Sequence, residues 1–281
     1  MKVIAMKISE LFSVEGLSVA VTGGASGIGL GYAEALAANG AYVTLLDLNP
    51  QRIEEECARL QKAGFAVSGA VVDVTDHEGL DAALARVARA RGRLDVVFAN
   101  AGVDPGPGPL GAWLGTERPR VAEGALENYT DQRWNRVIDV NLNGVFATAR
   151  AAARHMKAQR SGRIIITTSL ASRRLEPAIG AAYMSAKAGA AHFMRSVALE
   201  LAAYNITVNA IAPGFFATNI GGGHALNKDV QASFARTIPM HRVGFPNDMY
   251  GLALFLSSNA SAYVTGQEIV IDGGWGLGEA D

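Results

Sequence analysis

Short runs of β-branched and other apolar residues alternate along this chain with longer alanine-rich helical patterns, and that alternation narrows the folds open to it. Residues 17–22, 42–48, 67–74, 94–99, 163–169, 206–211 and 268–271 read as strands. Residues 27–39 read as a helix closed by Gly40, and Asn49-Pro50 reads as an N-cap and first-turn proline opening a helix that stops at Gly64. Strands separated by helices are joined by crossovers and therefore run parallel, with helices on both faces. Most of the strand runs are apolar throughout rather than alternating, as expected for a sheet covered on both sides.

The 281 residues are 49% hydrophobic and 18% charged, enough to bury a large core in one α/β domain spanning residues 1–281. A net charge of −1 gives no electrostatic case for nucleic acid or an anionic membrane surface. No apolar run reaches the roughly 20 residues that span a bilayer. Residues 1–16 lack the apolar stretch of a signal peptide, and Cys57 is the single cysteine, so a cytoplasmic protein is expected. The five histidines show no ligand spacing, and no catalytic metal is expected.

Two segments break the rhythm: 104–128, opening Asp-Pro-Gly-Pro-Gly-Pro, and 219–242, opening near Gly221-Gly222-Gly223. Both read as long loops after strand C-termini, the edge at which open α/β sheets bind ligands.

The first strand runs into Thr22-Gly23-Gly24-Ala25-Ser26-Gly27-Ile28-Gly29 and then a helix. Glycines there permit a tight turn and let backbone approach a pyrophosphate at the helix N-terminus. Asp47 follows 18 residues after Gly29, at the end of the second strand. A carboxylate there accepts hydrogen bonds from a ribose diol and repels a 2′-phosphate. Ser26 and Leu48 offer no positive charge, so NAD is expected over NADP. Asp73-Val74 and Asn100-Ala101-Gly102 end the third and fourth strands beside the same site. Asp73 faces an adenine amino group or caps the helix starting near Asp76.

Tyr183-Met184-Ser185-Ala186-Lys187 puts a phenol and an ammonium on one helix face at i, i+4. The cation stabilises phenolate and brings tyrosine towards a working proton donor and acceptor. Ser169 ends the strand before it, where a hydroxyl can hold a substrate oxygen; Thr168 and Ser172 compete for that role. Asn141 interrupts a helical pattern and either holds a water beside Lys187 or is a satisfied kink residue.

With these motifs in order, followed by Asn209, Pro213-Gly214 with Thr218, and Asp272-Gly273-Gly274, the chain resembles the classical short-chain dehydrogenase/reductase family from about Leu17 to Trp275. The resemblance implies a doubly wound Rossmann domain with a seven-stranded parallel sheet. It implies an Asn141–Ser169–Tyr183–Lys187 tetrad. Tyr183 would exchange the proton with the carbinol oxygen. Lys187 would tune it and hold the nicotinamide ribose. Ser169 would position the substrate oxygen, and Asn141 would anchor a relay water. Pro213, Gly214 and Thr218 would flank the nicotinamide carboxamide, Phe216 is expected among the cofactor-binding residues, and the hydride is expected on the B face of the nicotinamide. A homotetramer, or a dimer, is the family expectation.

Ala171, Leu175, Ile179 and Phe215 are the expected substrate walls beside Ser169 and Tyr183, with Phe216 near them. They suit an apolar, cyclic or aromatic secondary alcohol or its ketone. Arg173 and Arg174 either recruit a carboxylate or form a solvated pair, and Trp113 either covers the pocket or is structural. An NADP-dependent carbonyl reductase is the alternative enzyme, and Asp47 argues against it. A non-catalytic nucleotide sensor is the alternative of another class, and the complete tetrad argues against it. An extended sugar-nucleotide epimerase needs a larger C-terminal domain than remains after the last strand.

Overall fold

The apolar strands are buried from both sides because consecutive side chains enter different cores. On β4 (Val96–Ala99), Val96 and Phe98 join one cluster with Tyr32, Leu36 and Leu256, while Val97 and Ala99 join another with Leu84, Val145 and Met194. β5 (Gly162–Thr167) repeats this, with Ile165 on the first side and Ile164 and Ile166 on the second. Period-2 geometry with no polar face thus turns a continuous apolar run into two cores.

The computed structural model describes residues 7–103, 106–111 and 118–278. After a four-residue turn of helix, α1 (Ile8–Leu11), come β1 (Ser18–Thr22), α2 (Gly27–Ala38), β2 (Tyr42–Asp47), α3 (Pro50–Lys62), β3 (Val67–Val71) and α4 (His77–Arg91), leading into β4. The second half holds α5 (Asp131–Ile138), α6 (Gly144–Gln159), β5, α7 (Ala181–Leu201), β6 (Ile206–Pro213), α8 (Lys228–Thr237), α9 (Tyr250–Ser257) and β7 (Glu268–Ile271). The seven strands are all parallel, in the order β3-β2-β1-β4-β5-β6-β7. Strand order reverses between β1 and β4, so a crevice opens beyond Thr22 and Ala99.

Local chemistry sets the element boundaries. The Asn49 side chain accepts the Arg52 N–H at 3.1 Å and Pro50 occupies the first turn of α3. Gly40 and Gly64, at φ +87° and +88°, take the left-handed conformation that ends α2 and α3. Asp76 caps α4 through the Gly79 N–H at 3.0 Å, which leaves Asp73 out of that role.

The segment 219–242 is not the loop the glycine run suggested. It forms a 3-10 turn, Ile220–Leu226, and then α8, whose N-terminal amides bond to the Asn227 side chain. The capping asparagine and the Asp229 behind it are an ordinary helix start. The expected loop 104–128 carries 3-10 turns at Ala122–Gly124 and Leu126–Asn128. Among the described residues no helix is long and apolar enough to cross a membrane.

Candidate active site

The crevice at the strand-order reversal is a cleft of about 530 Å³. Every cofactor-side residue singled out in the sequence, from Gly23 to Thr218, lines it. Its floor is the β1–α2 turn, where Gly23 and Gly27 have φ of +64° and +54°. A Cβ on Gly29 would lie 2.2 Å from the Gly23 carbonyl oxygen and 2.4 Å from Asn100 Nδ2, so only glycine fits there. Asn100 pins the turn by donating to the carbonyls of Thr22 and Gly23 at 3.0 and 3.3 Å, and its Oδ1 accepts from Thr167 Oγ1 at 3.0 Å. Ser26 makes no side-chain bond to the first turn of α2, which leaves those amides facing the cleft. Such a turn fits a pyrophosphate.

Asp47 stands where β2 meets the cleft. Its Oδ2 accepts the Ala25 N–H at 3.0 Å and its Oδ1 the Asn49 N–H at 3.1 Å. Each oxygen keeps acceptor capacity for a ribose hydroxyl. Asp73 Oδ1 accepts from the Thr75 N–H and Oγ1 at 2.8 and 2.7 Å, and Asp73 still lines the cleft. Arg52 and Arg136 line it as well, and neither was singled out from sequence. The signal for Arg52 was present: it is in the first turn of a helix that starts three residues after Asp47.

Lys187 is buried at the other end of the cleft, 3% exposed, and its Nζ donates to the Thr167 carbonyl at 2.9 Å. Burial pulls its pKa from 10.5 down to about 8. The same Nζ lies 5.5 Å from the centroid of the Tyr183 ring. Asn141 falls in a π-turn, Asp139–Asn143, between α5 and α6. The widened turn carries its amide inwards, where Nδ2 donates to the carbonyls of Val103 and Val137 at 3.0 and 3.1 Å. Asn141 Oδ1 is buried without a partner among the described residues. Asn141 does not line the cleft itself. A Cβ on Gly102 would stand 2.9 Å from Asn141 Oδ1 and 3.7 Å from Lys187 Nζ, so both atoms border the same spot.

A second chamber, of about 500 Å³, adjoins the first, and Ser169, Tyr183, Pro213 and Gly214 line both. Ala171, Ile179 and Phe215 line the second chamber as expected. Leu175 does not. It points to solvent, 80% exposed, because the loop turns its neighbours Arg174 and Glu176 inwards instead. Phe216 faces the cofactor-side cleft. Phe215 stacks on Phe234 at 3.9 Å between ring centroids, and Trp275 meets Phe234 edge-on at 5.7 Å. The Arg174 guanidinium lies 4.7 Å over the Trp275 ring and donates to the Trp275 carbonyl, whereas Arg173 is paired with Glu268. Residues 106–111 form the far wall. They are joined to the loop before α7 by the Pro107–Ile179 bridge and by the Gly108 and Leu110 N–H groups on the carbonyls of Ala178 and Pro177. Arg118 and Glu176, both largely buried, close the wall with an ion pair. Trp113 lies outside the described residues.

Of the three competing hydroxyls, only Ser169 lines both chambers. Its Oγ accepts the Ala171 N–H at 3.1 Å, which leaves its proton to give. Thr168 and Ser172 both bond instead to Glu268 Oε1, at 2.8 and 2.7 Å.

Residues 23–276 match the family model described as enoyl-(acyl carrier protein) reductase. The 3-oxoacyl-[acyl-carrier-protein] reductase FabG of Chlamydia pneumoniae is 35% identical over 263 residues, covering 92% of this chain and 96% of that one. The NADPH-dependent 3-quinuclidinone reductase of Rhodotorula rubra superposes with a TM-score of 0.83 at 36% identity, over 99% of this chain and 97% of that one. A gluconate 5-dehydrogenase of Burkholderia cenocepacia, solved with NADP and tartrate, gives 0.84 at 30% identity, over 96% and 98%. With its sheet order and glycine turn, the chain belongs to the classical short-chain dehydrogenase/reductase family, as an oxidoreductase acting on CH–OH or carbonyl groups with a nicotinamide dinucleotide.

Proposed function

We propose that the protein is an NAD-dependent oxidoreductase that interconverts a secondary alcohol and a ketone, with Tyr183 as general acid and base. The observation that carries this is the partition between the two chambers: Ser169 and Tyr183 face both, with the Lys187 ammonium behind the phenol ring.

The Gly23–Gly29 turn and the open first turn of α2 would hold the pyrophosphate, Asp47 the adenosine ribose, and Lys187 the nicotinamide ribose. When bound, the nicotinamide accepts or supplies the hydride. The chain's own part is to hold the carbinol or carbonyl oxygen and to move its proton. Ser169 Oγ donates to that oxygen and orients it. Tyr183 Oη removes the proton in oxidation and returns it in reduction. The Lys187 charge stabilises the phenolate. The unpartnered Asn141 Oδ1 suits a water that passes the proton on from Lys187.

The second chamber supports an apolar ring substrate. Leu110, Ile179, Phe215, Phe234 and Trp275 enclose it, with few polar groups for a polyol to engage. Exposed apolar side chains on the outer helices, Trp134, Phe146 and Leu199, support a homotetramer or dimer, which light scattering after gel filtration tests.

One observation favours the NADP reading: Arg52 and Arg136 line the same cleft as Asp47. The deciding experiment follows absorbance of the reduced cofactor over a panel of secondary alcohols with NAD and NADP in parallel. Turnover with NAD supports the proposal. Turnover confined to NADP selects the second reading, and cofactor binding without turnover on any alcohol or ketone overturns both.

A further inference from the structure

Glu268 opens β7, the edge strand of the sheet, yet its side chain is 0% exposed. Burying a carboxylate is costly unless its oxygens are satisfied. Here they are, by residues of the turn that carries Ser169. Oε1 accepts the Thr168 and Ser172 hydroxyls at 2.8 and 2.7 Å. Oε2 accepts Arg173 Nε at 2.7 Å and lies 3.4 Å from Arg195 Nη2. The Glu268 carbonyl accepts Arg173 Nη2 at 3.0 Å. Burial raises the acid's pKa, but the bonds from Ser172, Arg173 and Thr168 outweigh it and leave the group below its ordinary value. It is therefore a carboxylate throughout the neutral range.

The arrangement brackets one residue. Thr168 directly precedes Ser169, Ser172 ends the 3-10 turn that Ser169 caps, and Arg173 directly follows it. An ionised carboxylate only accepts, so it takes the Ser172 proton and shares that of Thr168 with the Ile211 carbonyl, 3.1 Å from Thr168 Oγ1. Ser169 is the hydroxyl of the three whose proton has no acceptor among the described residues. A site that needs a single donor at the substrate oxygen gains by having its neighbours committed elsewhere.

We propose that Glu268 is a positioning residue for the reaction: it clamps both ends of the Leu170–Ser172 turn and so fixes the rotamer and direction of Ser169. The inference rests on the role of Ser169 in the proposed function, and the tests separate the two. Glu268→Gln keeps the volume and removes the charge that holds Arg173. Hydrogen exchange of the full-length protein should show faster exchange at the Ala171 and Arg173 amides, with the β1–α2 turn unaffected. With 1-phenylethanol, or the fastest alcohol of the panel, kcat should fall about tenfold to a hundredfold, the size of effect that misplacing a reactive group produces. NAD affinity, read by quenching of tryptophan fluorescence, should stay unchanged.

In a Ser169→Ala background the same substitution should cost less than about twofold, because residues acting as one unit are non-additive. Should Glu268→Gln fail to fold, Ser172→Ala removes one clamp bond from a turn position and should give the same pattern at smaller size. Unchanged amide exchange overturns the clamp. A loss of equal size with and without Ser169 assigns Glu268 a merely structural role and overturns the inference. Full activity of Ser169→Ala itself would overturn the proposed role of Ser169 instead.

Discussion

Lys187 Nζ is held by the Thr167 carbonyl at 2.9 Å, so one residue of α7 is tied to the C-terminal end of β5 from beneath the cleft. That bond fixes the ammonium beside the Tyr183 ring while burial strips it of water, and its pKa comes down to about 8. Oxidation needs Lys187, a link in the proposed proton relay, able to pass a proton on. Its kcat/KM should rise with pH through a value near 8, and that of reduction should fall through the same value. Lys187→Met should abolish this inflection in pH–rate profiles.

The same shift has a sign for stability. A lysine whose folded pKa lies below its ordinary 10.5 binds fewer protons folded than unfolded between about 8 and 10.5. Stability of the cofactor-free protein from this group therefore increases as pH rises across that window. Thermal unfolding midpoints should record the increase in the native sequence and lack it in Lys187→Met. Equal slopes in both would show that burial does not depress this lysine.

Tyr183→Phe keeps the ring against Lys187 and removes the transferable proton. We expect kcat to fall by a factor of roughly a hundred to ten thousand, the ordinary worth of a positioned acid–base group. NAD affinity measured by fluorescence titration should change by less than about twofold, since the ring and the Lys187 side chain both remain.

Asp47 and Arg52 make opposing demands on the same corner of the cleft. Asp47→Ala should weaken NAD more than NADP, and it should also loosen the glycine turn because the Ala25 N–H loses its acceptor. Arg52→Ala should weaken NADP and spare NAD. Dissociation constants for both dinucleotides with each variant decide the matter. An Arg52→Ala protein that loses NAD as severely as NADP would show that the guanidinium does not read the 2′ position.

The ion pair between Arg118 and Glu176 holds the wall of the second chamber. Removing Glu176 takes from a largely buried Arg118 its opposite charge and leaves the wall without this tie to the loop before α7. Glu176→Ala should therefore raise KM for the alcohol by about tenfold while leaving KM for NAD alone, measured by initial rates with each substrate varied in turn. A change in both constants would mean that the wall is coupled to the cofactor cleft.

Parallel strands and the glycine turn were legible because backbone geometry there leaves little choice of residue. Val96–Ala99 can be apolar throughout only if covered twice, and Gly29 has no room for a Cβ. The nearness of Tyr183 and Lys187 was legible for a related reason, since they share one helix and their spacing alone brings them together. Leu175 was misread because apolar character does not reveal which way a loop residue points. Arg52 was passed over because its relevance depends on the direction of a long side chain and not on a spacing. Glu268 was invisible for a different reason: it is 96 residues from Ser172, and the β5–β6 and β6–β7 pairings together bring them into contact. Helix α8 was hidden behind three glycines that suggested a loop, although Asn227 announces its start.

The shared boundary between the two chambers separates two kinds of evolutionary freedom. Ser169, Pro213 and Gly214 stand at the C-terminal ends of β5 and β6 and Tyr183 on α7, with Ile220 of the following 3-10 turn beside them. The outer wall, residues 106–111, is held by main-chain bonds to 177–179, 119 and 121 and by the Arg118 and Arg133 side chains on the Gly111 and Pro107 carbonyls. Substitutions in that wall can remodel what the protein recognises without disturbing the residues proposed to carry the chemistry. One scaffold can thus be re-addressed to new carbonyl compounds while its proton-transfer machinery stays in place, so substrate range and catalytic competence answer to selection separately.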